Sequence, residues 1–375
     1  MSRAFSIYLD LLRFLAACLV VIYHSNSRLI VSEILPLSTY GHSAVIIFFV
    51  LSGYVIAYAA DTKERTADSY WASRLSRIWS LAVPAILLTP MLDMAGEALN
   101  PEMYVGYTTH DHALLRGATS LFFLNEVWSV SIMCFSNIAY WSLNYEVSYY
   151  LLFALYVFGD PRRRWLWIAL ASLLIGPKIL LLAPIWLLGV AVYHWRRAEQ
   201  MPEWLGWLCV AASIVLFAVL EHFHLSERTA AQLQAALGAH WFRELNYSKW
   251  FITDYALGLA VFLNFLGMRR VVFRFAPLLH GLEKPVRAAA AYTFSLYILH
   301  QPLLYFYAAL ITLPPTGIAK YASVIACMLL TVLAIGHQTE QKRYTLRRWL
   351  ERAIQWGRKR VAMATASNEP ARGAQ

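Results

Sequence analysis

The sequence predicts an all-α protein, a polytopic bundle of about ten membrane-spanning helices with both termini in the cytoplasm. Of its 375 residues, 59% are hydrophobic and 14% are charged, whereas a soluble domain carries about 25% charged residues. Ten apolar segments approach or reach the length of about 20 residues that a helix needs to cross a bilayer. Lysine and arginine residues are also distributed unevenly between the connecting segments, as in membrane proteins.

The ten predicted spans are separated by polar connections. They are Ser6–Ser27, His42–Ala60, Ile78–Met94, Ala139–Phe158, Trp165–Ile175, Ile179–His194, Trp204–Leu220, Trp250–Met268, Ala289–Ile311 and Tyr321–His337. The fifth is short, so we expect it to be tilted or irregular. The stretch Leu114–Ser136 contains Arg116, Asn125 and Glu126, and we predict a re-entrant or outer-surface segment there instead of a span.

The basic residues give the orientation of this path. With the N-terminus in the cytoplasm, 24 of the 32 lysine and arginine residues fall on the cytoplasmic side, seven fall outside, and Arg13 lies within a span. An excess of basic residues in cytoplasmic loops is the usual orientation signal. The formal charge of +10 therefore indicates topology and contact with anionic membrane lipid, and we expect no nucleic-acid partner. We predict a multi-pass protein of the inner (plasma) membrane.

The chain divides into a membrane domain and a tail. Residues 1–337 hold the spans, and residues 338–375 form a basic cytoplasmic tail. Within it, Gln341–Arg360 mixes aromatic and aliphatic side chains with basic ones, which predicts an amphipathic helix on the inner leaflet. The small, polar stretch Met363–Gln375 is expected to be disordered. The N-terminus is predicted to be a retained first span, because Asp10, Arg13 and His24 interrupt its apolar run.

The cysteines indicate no further chemistry. Cys18, Cys134, Cys209 and Cys327 are scattered, mostly in apolar runs. No pair of them has metal-ligand spacing, and no disulfide framework can be recognised. We therefore expect no metal site.

Ionisable residues in the spans are the first candidates for a functional site, because each costs roughly 2.5–3.5 kcal/mol to insert. Arg13 and His24 lie eleven residues apart on the first span, which places them within about 20° of one helix face and about 16 Å apart. Arg13 also has a purely structural interpretation, as a partner of Asp10 three residues earlier. His24 has one too, as an interfacial histidine bonded to a carbonyl.

The second and third spans add small and basic residues. Ser52 precedes Gly53, and small residues allow helices to pack closely in lipid. Arg74 and Arg77 are three residues apart and share a face at the inner end of the third span. They either anchor the span at the interface or grip phosphates together, since arginine offers forked donors to phosphate oxygens.

The fourth and ninth spans carry the remaining polar candidates. Glu146 lies about one turn below the outer interface, where its carboxylate could also reach water by itself. On the ninth span, Tyr297 and His300 share a stripe, and His300 either forms a hydrogen bond inside the bundle or serves a function. Pro302 should kink this helix and free a backbone carbonyl.

Five sequence blocks occur together in a particular order. They are LDLLRFLAACLVVIYH (Leu9–His24), FFVLSGY (Phe48–Tyr54), RLSR (Arg74–Arg77), WSLNYE (Trp141–Glu146) and YTFSLYILHQP (Tyr292–Pro302). The series resembles acyltransferase family 3, the bacterial-type integral membrane O-acyltransferases. Tyr54 stands where that family commonly has Phe, and we expect no esterase-like domain fused after the spans.

The resemblance implies that the protein transfers an acyl group, commonly acetyl, from acyl-CoA to a hydroxyl of a carbohydrate or glycolipid. Acyl-CoA (acetyl-CoA) is then a donor substrate, and no permanently bound cofactor is expected. The alternative is a proton-coupled transporter or exporter of a polar small molecule. The sequence lacks the repeated pair of interrupted helices that is typical of transporters.

The resemblance also implies roles for individual residues. His24 is catalytic with help from Glu146, and the donor is held by Arg13, Arg74 and Arg77. His24 would act as a general base, and Glu146 would orient its imidazole. A hydrogen bond to the developing oxyanion could come from any of Ser52, Tyr297 or His300.

Overall fold

The computed structural model describes residues 1–107 and 111–367, and the prediction of an all-α bundle is confirmed for this part of the chain. Helix accounts for 81% of the described residues, and no strand forms among them. The helices are α1 (Arg3–Ser25), α2 (Gly41–Thr62), α3 (Ala67–Leu99), α4 (Ala113–Leu121), α5 (Trp141–Phe158), α6 (Arg164–Ile175), α7 (Pro177–His194), α8 (Glu203–His222), α9 (Leu225–Glu244), α10 (Phe251–Val271), α11 (Ala276–Gly281), α12 (Glu283–Ala291), α13 (Thr293–Leu310) and α14 (Ile318–Ser367).

Seven helical segments of the described chain are long and apolar enough to cross a membrane. They are Arg3–Ser25, Gly41–Thr62, Ala67–Leu99, Pro177–His194, Glu203–His222, Phe251–Gly281 and Ile318–Gly357. The other three predicted spans form α5, α6 and α13. Helix α6 has only 12 residues, whereas α5 and α13 have 18 residues each and are less apolar because they carry polar residues such as Glu146 and His300. The count of ten and the side on which each terminus lies stay predictions.

The two ends of the bundle differ in charge. We call the end at which α1 begins and α2 ends the basic end. Arginines there pair with carboxylates across helices: Arg3 with Glu283 at 2.5 Å, Arg269 with Glu199 at 2.7 Å and Arg274 with Glu203 at 2.7 Å. These ion pairs fix the helix termini at the end that the sequence assigns to the cytoplasm.

The stretch predicted not to be a span lies at the opposite end of the bundle. After the short helix α4 the chain runs irregularly to residue 137, and Asn125, Glu126, Ser136 and Asn137 of this stretch are buried. The Glu126 carboxylate lies 2.9 Å from the Lys178 ammonium, and both are almost fully buried. Burial raises the pKa of Glu126, while Lys178 acts in the opposite direction. Irregular backbone is tolerated at membrane depth where protein surrounds it in this way.

The C-terminal helix α14 is 50 residues long and unbroken from Ile318 to Ser367. It contains the last predicted span and, continuous with it, the predicted amphipathic stretch Gln341–Arg360. The location of that stretch on a leaflet stays a prediction. The end of the segment predicted to be disordered, residues 368–375, lies outside the described residues.

Helix α2 lies in the centre of the bundle and makes its closest approach to α7. A methyl group at Gly53 would lie 2.0 Å from the Trp186 carbonyl oxygen, and one at Gly189 would lie 1.9 Å from the Val50 carbonyl oxygen. The backbone of the partner helix thus packs directly against each glycine. Gly53 therefore serves the packing role that small residues have in membrane bundles, and it holds the neighbouring Ser52 in a fixed position.

We expect Gly53→Ala to lower the melting temperature in detergent, because the added methyl would force α2 and α7 apart at a cost of about 1–3 kcal/mol. Gly281→Ala is the matched control, since a methyl at Gly281 meets nothing within 4 Å. Thermal unfolding followed by tryptophan fluorescence measures both variants. Equal melting temperatures for the two variants would contradict this account of the α2–α7 contact.

Candidate active site

A narrow cavity of about 90 Å³ lies among α1, α2, α3, α5 and α13. Most of the residues with predicted roles line it: Arg13, Ser52, Arg74, Arg77, Glu146 and Tyr297. We call it the arginine cavity. Residues from five helices meet here because their polar side chains face inward, away from the lipid. The structure thus brings together the three predicted donor-binding arginines.

Glu146 is fixed within the arginine cavity by two hydroxyl groups. Its Oε1 atom accepts a hydrogen bond from Ser52 Oγ at 2.6 Å and one from the Tyr150 hydroxyl at 2.5 Å. Ser52 Oγ accepts in turn from the indole Nε1 of Trp186 at 3.2 Å. A carboxylate in an apolar bundle needs such donors, since an unsatisfied charge there is costly.

The three arginines differ in how they are paired. Arg13 lies 3.3 Å from Asp10, as its structural interpretation predicts, and Asp10 also pairs with Arg287 at 2.6 Å. The buried Arg74 pairs with the buried Glu64. In the described part of the chain, no carboxylate pairs with Arg77. Its half-buried guanidinium is therefore the cation of the cavity that is most available to a ligand.

A second, larger cavity of about 600 Å³ opens at the other side of this region, and His24 lines it. We call it the histidine cavity. Val45 and Tyr297 line both cavities, so they form the boundary between them. Arg13 and His24 both face the interior of the bundle from the same helix, as their spacing on α1 predicts, and each lines a different cavity.

His24 lies beside His300. Their ring centroids are 5.1 Å apart, and no hydrogen bond holds the His24 ring nitrogens within residues 1–107 and 111–367. His300 Nδ1 lies 2.8 Å from the Tyr297 carbonyl and 3.1 Å from the Leu296 carbonyl. A carbonyl only accepts, so Nδ1 carries the proton and Nε2 is left as an acceptor. That Nε2 atom is buried and has no partner among the described groups.

Helix α13 is shaped by Pro302 as the sequence predicts. Proline cannot donate to the carbonyl four residues earlier, which is that of Ile298. The side-chain nitrogen of Asn137 donates to this oxygen at 2.8 Å. Next to it, Gln301 Oε1 accepts from the Ala139 amide at 3.0 Å. These bonds fix the irregular segment to α13 close to His300.

The predicted contact between Glu146 and His24 is absent from the structure. Glu146 lines the arginine cavity and is held by Ser52 and Tyr150, whereas His24 lines the histidine cavity on the other side of Val45 and Tyr297. The sequence placed both residues near one interface but could not show that they line different cavities.

The three candidate oxyanion donors all have their hydrogen engaged. The Ser52 hydroxyl donates to Glu146, and His300 Nδ1–H donates to carbonyls. The Tyr297 hydroxyl lies 2.7 Å from Ser142 Oγ and 3.2 Å from the Ala139 carbonyl oxygen. An oxyanion contact from any of them requires one of these bonds to break, so this role stays a prediction.

Some contacts of the site were not predicted from the sequence. Glu64, the partner of Arg74, lies in a connector that carries both charge signs, where one acid gives only a weak signal. Asp254 lies inside the predicted span Trp250–Met268 and binds His42. The cost of an intramembrane carboxylate, the criterion that selected Arg13, would have selected Asp254 as well.

The fold and the two cavities define a class of protein: a helical membrane protein with an internal polar site. The chain matches the family described as "Acyltransferase domain" over residues 6–337. It therefore belongs to acyltransferase family 3, and the resemblance seen in the five sequence blocks is confirmed. With seven candidate membrane helices in the described residues, this family supports a multi-pass membrane acyltransferase.

The chain is also similar to acyltransferase MdmB of Streptomyces mycarofaciens. The two are 28% identical over 143 residues, which are 37% of this chain and 35% of that protein. The chain thus matches about a third of the length of this curated relative. No solved structure matches the chain.

We expect Arg74→Ala to destabilise the protein by about 3–5 kcal/mol, because it leaves the buried Glu64 carboxylate without its partner. The melting temperature in detergent measures this loss. The double variant Glu64→Ala with Arg74→Ala should recover part of it, since no unpaired charge remains. If Arg74→Ala had the same melting temperature as the wild type, the ion pair would not stabilise the site.

Proposed function

We propose that the protein is a membrane O-acyltransferase that moves an acyl group, with acetyl expected first, from acyl-CoA to a hydroxyl of a carbohydrate or glycolipid. One observation carries this proposal: the arginines and His24 line separate cavities that share Val45 and Tyr297. An anionic donor and a hydroxyl-bearing acceptor can therefore approach the same boundary from different sides. Membership of the family supports the transfer of an acyl group.

The proposed topology has ten spans, with α5, α6 and α13 added to the seven apolar segments, and both termini in the cytoplasm. Two observations support this topology. Lysine and arginine are concentrated in the connecting segments that the ten-span path assigns to the cytoplasm, and ion-paired arginines are concentrated at the basic end. With the basic end in the cytoplasm of the inner membrane, the arginine cavity faces the compartment that supplies acyl-CoA, and the histidine cavity faces outward.

Arg77 is the proposed principal contact to the donor. Its guanidinium is unpaired in the described chain and can form forked hydrogen bonds to phosphate oxygens. Arg13 adds positive charge on the opposite wall, and Arg74 adds more while it fixes the start of α3 through Glu64. The cavity of about 90 Å³ is narrow, and we propose that the slim acyl end of acyl-CoA enters it while the nucleotide stays at the basic end.

Glu146 is proposed to balance these cations. Arg13 and Arg77 lie close enough to repel each other, and Glu146 attracts Arg13. The Glu146 carboxylate, held by Ser52 and Tyr150, reduces the repulsion between the two guanidinium groups before the donor binds. Its help in catalysis is thus indirect, through the arrangement of the donor site.

His24 is proposed as the general base, with His300 as its positioning residue. A neutral His24 can donate its one N–H to the unpartnered Nε2 of His300, which a ring separation of 5.1 Å places within reach. The other ring nitrogen of His24 then faces the acceptor hydroxyl. A neutral imidazole is suited to removing such a proton.

The reaction then balances without any other reactant. The hydroxyl oxygen forms a bond to the thioester carbonyl carbon while His24 takes the hydroxyl proton. The carbon–sulfur bond breaks, the electron pair leaves with the CoA sulfur, and His24 returns the proton to that thiolate. The products are an ester and free CoA.

The general test uses purified protein in proteoliposomes with acyl-labelled CoA inside and a glycolipid extract outside. Transfer of label to the extract supports the proposal. Movement of a polar solute driven by a proton gradient, without any use of acyl-CoA, would instead support a transporter.

We expect His24→Ala to lower the transfer rate by about 10²–10⁴-fold, which is the usual contribution of a general base. The variant should retain the melting temperature of the wild type and its affinity for acyl-CoA. His222→Ala is the matched control, because His222 is exposed at the end of α8. Transfer by His24→Ala at the wild-type rate would rule out this role.

Arg77→Ala should raise the acyl-CoA concentration for half-maximal rate by about 10–100-fold, the effect of losing one or two charge-assisted hydrogen bonds. The rate at saturating donor should change less. Arg163→Ala, which removes an exposed basic residue from a connector, is the control for charge and orientation. The same rise in both variants would indicate that Arg77 acts only through net charge.

A further inference from the structure

The wall of the histidine cavity formed by α2 and α10 contains a second histidine with its own carboxylate. His42 Nε2 lies 2.9 Å from Asp254 Oδ1, and Asp254 is only 3% exposed. Oδ2 of Asp254 is buried and has no partner in the part of the chain that the structure describes. The catalytic scheme above uses neither residue. A buried carboxylate inside an apolar helix is costly, so its retention beside an imidazole calls for a function.

The contact with Asp254 fixes the orientation and the tautomer of the neutral His42 ring. The carboxylate only accepts, so Nε2 of His42 carries the proton and Nδ1 of the neutral ring is an acceptor. The His42 side chain is 26% exposed and lines the cavity. No described residue donates to Nδ1. His42 therefore offers an oriented hydrogen-bond acceptor to whatever enters.

Three aromatic rings share the lining of the cavity with this acceptor. Trp141 and Tyr247 stack with centroids 4.4 Å apart and planes within 4°, and Trp250 lies 4.8 Å from the His42 ring. All three aromatic residues line the same cavity. Flat aromatic faces bind apolar C–H surfaces well, and stacking leaves the pair with little freedom to move.

The charge of the cavity favours a neutral ligand. No lysine or arginine from the described residues lines it, whereas the acidic Glu102 does. Lys249 lies over the ring of Trp250, with Nζ 4.3 Å from the centroid, but it is not part of the lining. An anionic acceptor such as a phosphorylated sugar would find no partner for its charge.

His42 also lies close to the proposed base. A methyl at Gly41 would lie 2.3 Å from the Tyr23 ring, so the start of α2 packs directly on the residue that precedes His24. The Tyr23 and His24 rings are 4.9 Å apart. A ligand held at His42 is thus in the same cavity as His24.

We propose that His42, Asp254 and the rings of Trp141, Tyr247 and Trp250 form the acceptor subsite, and that it binds a neutral pyranose ring. The aromatic faces take the C–H face of the sugar, and His42 Nδ1 accepts a hydrogen bond from a ring hydroxyl. A different hydroxyl is then left for His24. This inference rests on the proposed function for its role in transfer, but sugar binding is measurable without any transfer.

The test is saturation-transfer difference NMR on the purified protein in nanodiscs. The probes are methyl β-D-glucopyranoside and methyl α-D-mannopyranoside, with sorbitol as the open-chain control. We expect signals from the ring C–H protons of at least one pyranoside and none of comparable strength from sorbitol. His42→Gln and Asp254→Asn should each reduce the signal by about tenfold, the effect of one hydrogen bond to a charged or oriented group.

Trp241→Ala is the matched control, because Trp241 is 64% exposed and lies outside the cavity lining. His42→Gln keeps the test valid if Asp254→Asn fails to fold, since His42 is partly exposed. Equal signals from sorbitol and the pyranosides, or wild-type binding by His42→Gln, would overturn the subsite. Acyl transfer without pyranoside binding overturns the subsite alone, whereas pyranoside binding without any use of acyl-CoA overturns the proposed transfer alone.

Discussion

The hydrogen bond from Ser52 to Glu146 joins the packing of the bundle to its candidate active site. Ser52 is held by Trp186, and the same stretch of α7 fits against Gly53. An ionised carboxylate in an apolar bundle must be bound by donors, and these donors are in place only while α2, α5 and α7 are packed closely. The arginine cavity therefore depends on a contact between two backbones, and the small residue at position 53 has a chemical consequence as well as a structural one.

The same architecture places the arginines and the proposed base, His24, in two different cavities. Cations gather where α1 and α3 approach the basic end, and the imidazoles of His24 and His300 lie towards the other end of α1 and on α13. Glu146 and His24 line different cavities that share Val45 and Tyr297, and Glu146 is held by Ser52 and Tyr150. In the proposed mechanism a second histidine therefore takes the place that an acid has in hydrolase triads, and its tautomer is set by backbone carbonyls of α13 rather than by a carboxylate.

The irregular segment that follows α4 has a structural role at the histidine cavity. Asn137 satisfies the carbonyl that Pro302 frees, and Gln301 binds the backbone next to it. A proline in a membrane helix is tolerated when neighbouring groups take over the lost bonds. The satisfied carbonyl at Pro302, the segment and the buried pair of Glu126 and Lys178 are thus parts of one arrangement that supports α13 next to His300.

The sequence alone determined the features that depend on local composition and spacing. These are the helical membrane class, the inward-facing stripe of Arg13 and His24, the freed carbonyl at Pro302, and the family, because motif order is preserved along the chain. Only the tertiary structure decided which polar groups meet. Partners such as Glu64 with Arg74, or His42 with Asp254, come from distant or unremarkable positions, and the place of Tyr297 in the lining of both cavities has no sequence signal. Helix periodicity defines a face, but the neighbour of that face is set by how the helices pack.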